Sequence, residues 1–204
     1  MTPKESTAWR PTLPGWSEDI LPFYAQLAPA LPRGAQVVEV GVAWGRSLLF
    51  LAEQLVTLGR DRGVALWAVD SWDPSWTYPP EATPAAAWTF PPPSMLRTLL
   101  EHATPAELAM VRLVRAPSRQ AARLFLGPSL DVVFLDGDHS VAGIVDDLTS
   151  WAPLVKSGGL LAGHDYDPAN FPDVVATVEQ FAGIECDRYE PLAIDGTVWS
   201  LRKR

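Results

Sequence analysis

Of the three histidines in the chain, two sit in short polar clusters that each follow an apolar run. Asp136-Gly137-Asp138-His139 follows DVVFL, and His164-Asp165-Tyr166 follows LLAG. Imidazole changes charge near neutrality, so a histidine flanked by carboxylates is suited to general acid–base chemistry. Turn chemistry and helix capping account for Gly137, Asp138 and Ser140 but not for the histidines. Asp138 is placed to orient His139 or to bind a ligand. The third histidine, His102, ends a helical pattern from Ser94, where the helix dipole favours it.

These residues need strands that end at a common edge. Asp131 to Leu135 and Leu160 to Gly163 read as buried strands, and ligands of open α/β sheets gather beyond such C-terminal ends. A third strand is predicted in QVVEVGVAWGRS, residues 36 to 47, where Val37, Val38 and Val40 run into Gly41 and Gly45. Those glycines let the backbone turn tightly and approach a ligand. Leu48, Leu51, Ala52 and Leu55 then recur at helical spacing. The N-terminal amides of that helix, with Ser47, suit the carboxylate of a cofactor, while Arg46 reads as an exposed turn arginine. A fourth strand, Val64 to Trp72, ends in Asp70, placed to bind a ribose. Val42 stands where a dinucleotide fingerprint wants a second glycine, and Glu39 beside the turn repels phosphate and suits a cationic cofactor.

The rest of the chain reads less regularly. Ser17 is expected to cap a helix through about Leu31, preceded by an arm whose Trp9 and Trp16 should pack on the domain or on a second subunit. Asp73 to Pro93 holds seven prolines and four large aromatics, which exclude a continuous helix and suggest a substrate lid or a dimer contact. Met110 to Arg115 reads as a strand. Ser140 should start a helix with Val141, Ile144, Val145, Leu148, Trp151 and Val155 on one stripe, ended by Gly158 and Gly159. A helix over about 173–182 and an antiparallel pair near 186–189 and 197–201, turning at Asp195-Gly196, should close the fold. The expected division is an N-terminal arm and helix, 1–34, and one domain, 35–204, with an insertion at 73–93.

With 204 residues and 48% hydrophobic content, one core is expected. A net charge of −8 disfavours a nucleic-acid partner, and the single cysteine, Cys186, permits no intrachain disulfide. No leader or membrane-length apolar run is evident, so a cytoplasmic protein is expected.

The E-x-G-x-x-x-G turn, VDSW, DVVFLDGDHS and GGLLAGHDY together resemble a class I S-adenosylmethionine-dependent methyltransferase over roughly residues 35 to 166. Within that superfamily they resemble small O-methyltransferases, including antibiotic-sugar methyltransferases and cephalosporin-hydroxylase-like proteins. The resemblance implies an α/β, Rossmann-like doubly wound, mostly parallel seven-stranded sheet with an antiparallel C-terminal strand. It implies a cofactor site of Glu39, Gly41, Gly45, Ser47, Asp70, Ser118 and Asp138, with Ser118 toward the adenine; the other role open to Ser118 is to cap the helix running to Phe125. It implies His139 as general base, and a metal held by Asp136, His164 and Asp165. Family habit favours magnesium, whereas the imidazole of His164 shifts preference towards manganese, iron or zinc. The acceptor it implies is a hydroxyl of a small molecule, such as a sugar or other secondary metabolite. An oxidoreductase role and a non-catalytic nucleoside-binding subunit are the alternatives. A homodimer is suggested by the Trp-rich arm and loop.

Overall fold

The computed structural model describes residues 17–73 and 94–204. The expectations for Trp9, Trp16 and the loop after Asp73 fall outside the described residues. Seven strands form one sheet: β1 (Gln36–Val40), β2 (Ala65–Asp70), β3 (Val111–Arg115), β4 (Leu130–Leu135), β5 (Val155–Gly163), β6 (Ala193–Asp195) and β7 (Val198–Arg202). Their order is β3-β2-β1-β4-β5-β7-β6. The first five run parallel, while β7 is antiparallel to both β5 and β6. The order reverses between β1 and β4, and that reversal is the place where an open sheet leaves a crevice for a ligand.

Strand alternation sends neighbouring residues into two cores. Val37, Leu66, Val132, Phe134 and Leu160 pack beneath helices α1 (Ile20–Leu27), α2 (Arg46–Thr57) and α3 (Ser94–His102). Val38, Val69, Val133, Leu135 and Leu161 face the opposite layer of α5 (Ser118–Ala122), α6 (Val141–Trp151) and α7 (Pro172–Ile184). A short α4 (Pro105–Met110) precedes β3. In its capping box Thr104 accepts the Glu107 amide at 3.3 Å and Glu107 accepts the Thr104 amide at 2.7 Å. That T-x-x-E signal, typically worth about 1 kcal/mol, was available in the sequence.

Four boundaries differ from the pattern reading. Ser17 caps nothing with its hydroxyl, which is buried without a partner, and α1 instead starts after Asp19 and tightens at Ala28–Ala30 around Pro29. Ser118 likewise does not cap its helix: α5 starts at Ser118 itself, after Pro117, and stops at Ala122. β5 starts at Val155, not Leu160, because its register against β4 shifts between Leu130 and Val132 and absorbs Gly158, at φ +78°, inside the strand. Val155 therefore packs from the sheet, and Val141 and Val145 are exposed, which leaves Ile144, Leu148 and Trp151 as the buried stripe of α6. At the C-terminus, α7 runs to Ile184, Phe181 O takes the amide of Glu185, and Glu185 O takes the amide of Tyr189. Only a bridge from Tyr189 to Lys203 remains of the strand expected at 186–189, and β6 pairs with β7 in its place across the Asp195-Gly196 turn. No helix among the described residues is long and apolar enough to cross a membrane.

Candidate active site

Three backbone bonds fasten the strand tips side by side: Gly41 N–H to Val69 O at 2.9 Å, Asp136 N–H to Val40 O at 2.8 Å, and His164 N–H to Leu135 O at 3.1 Å. Gly41 has φ +86°, and a Cβ there would overlap the carbonyl of Asp136. The elbow after β1 is therefore pressed against the segment that begins the acid–histidine cluster. Gly45, at φ +79°, is required by a different neighbour, the buried side chain of Met95 on α3. Both glycines thus serve close approach within the protein itself.

Asp70 braces the elbow. Its Oδ2 accepts the Ala43 amide at 2.8 Å and its Oδ1 the Trp72 amide at 2.7 Å, while Trp72 Nε1 donates to Ala43 O at 2.8 Å. Burial raises the Asp70 pKa, with the amides opposing. Ala43, Trp72 and Asp165 are the non-glycine residues with positive φ among the described residues, and all three border the C-terminal edge of the sheet. Left-handed backbone costs about 1–3 kcal/mol per residue and concentrates at functional sites.

Glu39 is fully buried and accepts from the hydroxyls of Tyr24 and Ser47, both at 2.6 Å. With its hydroxyl committed to Glu39, Ser47 has its first-turn amide to offer a ligand. Burial pushes the Glu39 carboxyl up to about 7, with the two hydroxyls pulling down and Asp136 and Asp70 pushing further up. Glu39 holds its proton more tightly folded than unfolded, so its stabilising contribution is full below pH 4.5 and is lost as pH rises through about 7. That shift is worth on the order of 3 kcal/mol. Asp147, raised to about 6 mainly by burial, adds a decline of the same sign. Glu39→Gln should flatten the fall of unfolding free energy between pH 4.5 and 7.5, measured by urea titration; an unchanged slope would refute the assignment. Arg46 is not an exposed turn residue: its side chain is 11% exposed and pairs with Glu18 at 2.7 Å.

The two polar clusters converge. Asp136, His139 and Asp165 each present a donor atom, all within 4.8 Å of one another. His139 Nε2 lies 2.8 Å from Asp165 Oδ2, an ion-pair contact that is out of line for a hydrogen bond. The ring stands edge-on to Phe171 at 5.0 Å. Burial lowers the His139 pKa, but Asp165 and Asp136 outweigh it and the net shift is upward. His164 is buried between three carboxylates: Nδ1 is 3.3 Å from Asp136 and 3.2 Å from Asp165, and Nε2 is 2.9 Å from Asp19. Burial opposes its charge, yet Asp136, Asp165 and Asp19 together push it up to about 10. Burial raises Asp136, with His164 opposing.

Two residues lie differently from the sequence reading. The carboxylate facing His139 is Asp165, whereas Asp138 accepts the Ser140 amide at 2.9 Å and starts α6, where Ser140 caps Gly143 at 3.1 Å. Ser118 turns its hydroxyl inward, donating to Asp147 and accepting Trp151 Nε1 at 2.8 Å. Gly137, His139, Asp147, Asp165, Val174 and Trp199 are among the residues lining a small cavity beside the cluster. Asp19, Tyr24 and Asp147 were missed by sequence reasoning, since no local pattern marks them.

A doubly wound sheet with a glycine elbow, an acid at the second strand tip and an acid–histidine cluster at the fourth and fifth defines a class I methyltransferase architecture. Residues 38–166 match the model of the family described as methyltransferase domain, and the chain belongs to that family: it is an S-adenosylmethionine-dependent methyltransferase. No curated protein matches it in sequence. Among solved structures it is similar to a Staphylococcus aureus protein described as a caffeoyl-CoA O-methyltransferase, at 12% identity and TM-score 0.67, over 99% of this chain and 93% of that one. It is similar to the O-methyltransferase NovP at 20% identity and TM-score 0.55, over 91% and 80%. MycE, from the mycinamycin biosynthetic pathway and solved with Mg and S-adenosylhomocysteine, matches at 16% identity and TM-score 0.56, over 89% of this chain and 49% of that one.

Proposed function

We propose that the protein transfers the methyl group of S-adenosylmethionine to a hydroxyl of a small molecule, with His139 as general base and a divalent ion held by Asp136, His164 and Asp165. The observation that carries this reading is the contact of the Gly41 elbow with Asp136, which sets the cofactor turn directly against the acid–histidine cluster. S-adenosylmethionine supplies an electrophilic sulfonium methyl, and a divalent ion would acidify the hydroxyl and fix its line of attack. The chain supplies the rest. Asp70 and Asp136, at the tips of β2 and β4, flank the elbow with carboxylates that favour a cation. Asp70, at the tip of β2, would accept from ribose hydroxyls, and the first-turn amide of Ser47 would hold the cofactor carboxylate. His139 accepts the proton that the hydroxyl loses as its oxygen bonds to the methyl carbon. The donors fit an ion: His164 Nδ1 stands 3.2–3.3 Å from two carboxylate oxygens, close to the roughly 3 Å between adjacent ligands of a six-coordinate ion with bonds of about 2.1 Å. The net charge of −8 favours a small acceptor over a nucleic acid.

A second reading exchanges the histidines. His139 belongs to the convergent donor set with Asp136 and Asp165, so it suits a ligand as well. Calorimetry separates the two, because His139→Gln leaves Mn2+ affinity unchanged if His139 is the base and weakens it at least tenfold if it is a ligand. The reading as a whole is tested by titrating S-adenosylhomocysteine and a nicotinamide dinucleotide with and without Mg2+ or Mn2+, then assaying methyl transfer to a panel of sugars and phenols. Expected are S-adenosylhomocysteine binding, no dinucleotide binding, and turnover that EDTA abolishes and added metal restores. Absence of S-adenosylhomocysteine binding would overturn it.

A further inference from the structure

We propose that Asp19 is a positioning residue for the ion site, and that the N-terminal turn and the C-terminal hairpin together complete a site whose donors all come from the central strands. The inference rests on the ion-assisted reading above. Asp19 lies outside residues 38–166, the part of the chain that the family model matches. It occupies the N-cap position of α1, yet its side chain caps no amide there. Its Oδ2 instead lies 2.9 Å from His164 Nε2 and accepts the hydroxyl of Thr197, in the turn between β6 and β7. Thr197 O in turn accepts the amide of Tyr166, two residues beyond His164, at 2.9 Å. Gln26 on α1 donates to Asp195 at 3.3 Å, a second tie between helix and hairpin.

An ionised carboxylate can only accept, so Asp19 takes a hydrogen bond from Nε2 of His164 and holds the ring in one orientation. That orientation points Nδ1 at Asp136 and Asp165, where a cation bound between the two carboxylates would meet it. Metal-binding histidines commonly have their second nitrogen held by a carboxylate, which fixes the ring and raises its basicity; removing such a partner costs 10- to 100-fold in metal affinity. The alternative use of Asp19, capping α1, is the one its position predicts and the one it forgoes.

The test is calorimetric titration of Mn2+ and, separately, of S-adenosylhomocysteine into the full chain and its Asp19→Ala, Asp19→Asn and Thr197→Val variants, with the 15N shift of His164 Nε2 as the signature of its hydrogen bond. Expected for Asp19→Ala is a 10- to 100-fold weaker Mn2+ affinity, unchanged S-adenosylhomocysteine affinity and a changed His164 Nε2 shift. Asp19→Asn, whose carbonyl still accepts from Nε2, should recover part of the loss. Thr197→Val, which loosens Asp19 without removing its charge, should weaken Mn2+ several-fold and reads the same quantity should Asp19→Ala fail to fold. Mn2+ affinity within twofold of wild type in every variant overturns the assignment, as does an equal loss for both ligands, which marks general loosening. Wild-type protein that binds S-adenosylhomocysteine but no Mn2+ overturns the ion reading and this proposal with it.

Discussion

Replacing His139 with alanine is expected to lower kcat for methyl transfer by 10²- to 10⁴-fold, the usual contribution of a positioned general base. Affinity for S-adenosylhomocysteine should stay within about threefold, because the elbow and Asp70 make their contacts to each other and not to His139. The side chain is partly exposed and rests edge-on against Phe171, so truncation opens little buried space. What the variant loses is a nitrogen held next to Asp165 and Asp136, in the crevice beyond β4 and β5. Single-turnover kinetics with bound cofactor isolates that step from acceptor binding. A His139→Ala enzyme retaining a tenth or more of wild-type kcat would remove His139 from the base role and leave the proton to another group.

The clusters were legible because strand tips announce themselves locally. A β-branched run that stops at a polar residue reads as a buried strand with its end at the ligand edge, and this placed Gly41, Asp70, Asp136 and His164 at one edge of the sheet. Which polar neighbour faces which could not be read the same way. Asp138 is adjacent to His139 in the chain, yet Asp165, on another strand, is the carboxylate against it. Asp19 lies 145 positions from its histidine and reaches it through the packing of α1 on the sheet, which no periodicity encodes. Glu39 looked like a ligand-facing acid because it precedes the turn, but strand alternation turns it inward, where Tyr24 of α1 meets it. The β5 boundary was misplaced for a related reason: a glycine pair marks either a helix end or a bulge, and only the register against β4 decides.

Gly41→Ala is expected to destabilise the fold more than any other single-methyl change at this edge. The added Cβ would lie 2.5 Å from the carbonyl carbon of Asp136 and 2.9 Å from Gly137 Cα. Both are backbone atoms of a central segment held by the Asp136 amide on Val40, so neither can step aside as a side chain does. The φ of +86° adds about 1–2 kcal/mol for an L side chain, and overpacking adds typically 1–3 kcal/mol or more. The sum, roughly 2–5 kcal/mol, is a large share of the 5–15 kcal/mol that holds a domain together. Gly45→Ala meets the end of the flexible Met95 side chain and should cost less, and Gly196→Ala, in open space, should cost little beyond its backbone strain. Urea unfolding of the three variants should therefore rank Gly41 well below Gly45 and Gly45 below Gly196 in remaining stability. Because relief at Gly41 can come only by pushing Asp136 away from β1, the same variant should lose Mn2+ affinity even at temperatures where it stays folded; a Gly41→Ala protein with wild-type stability and wild-type metal binding would mean that the elbow and the acid–histidine cluster are not mechanically joined.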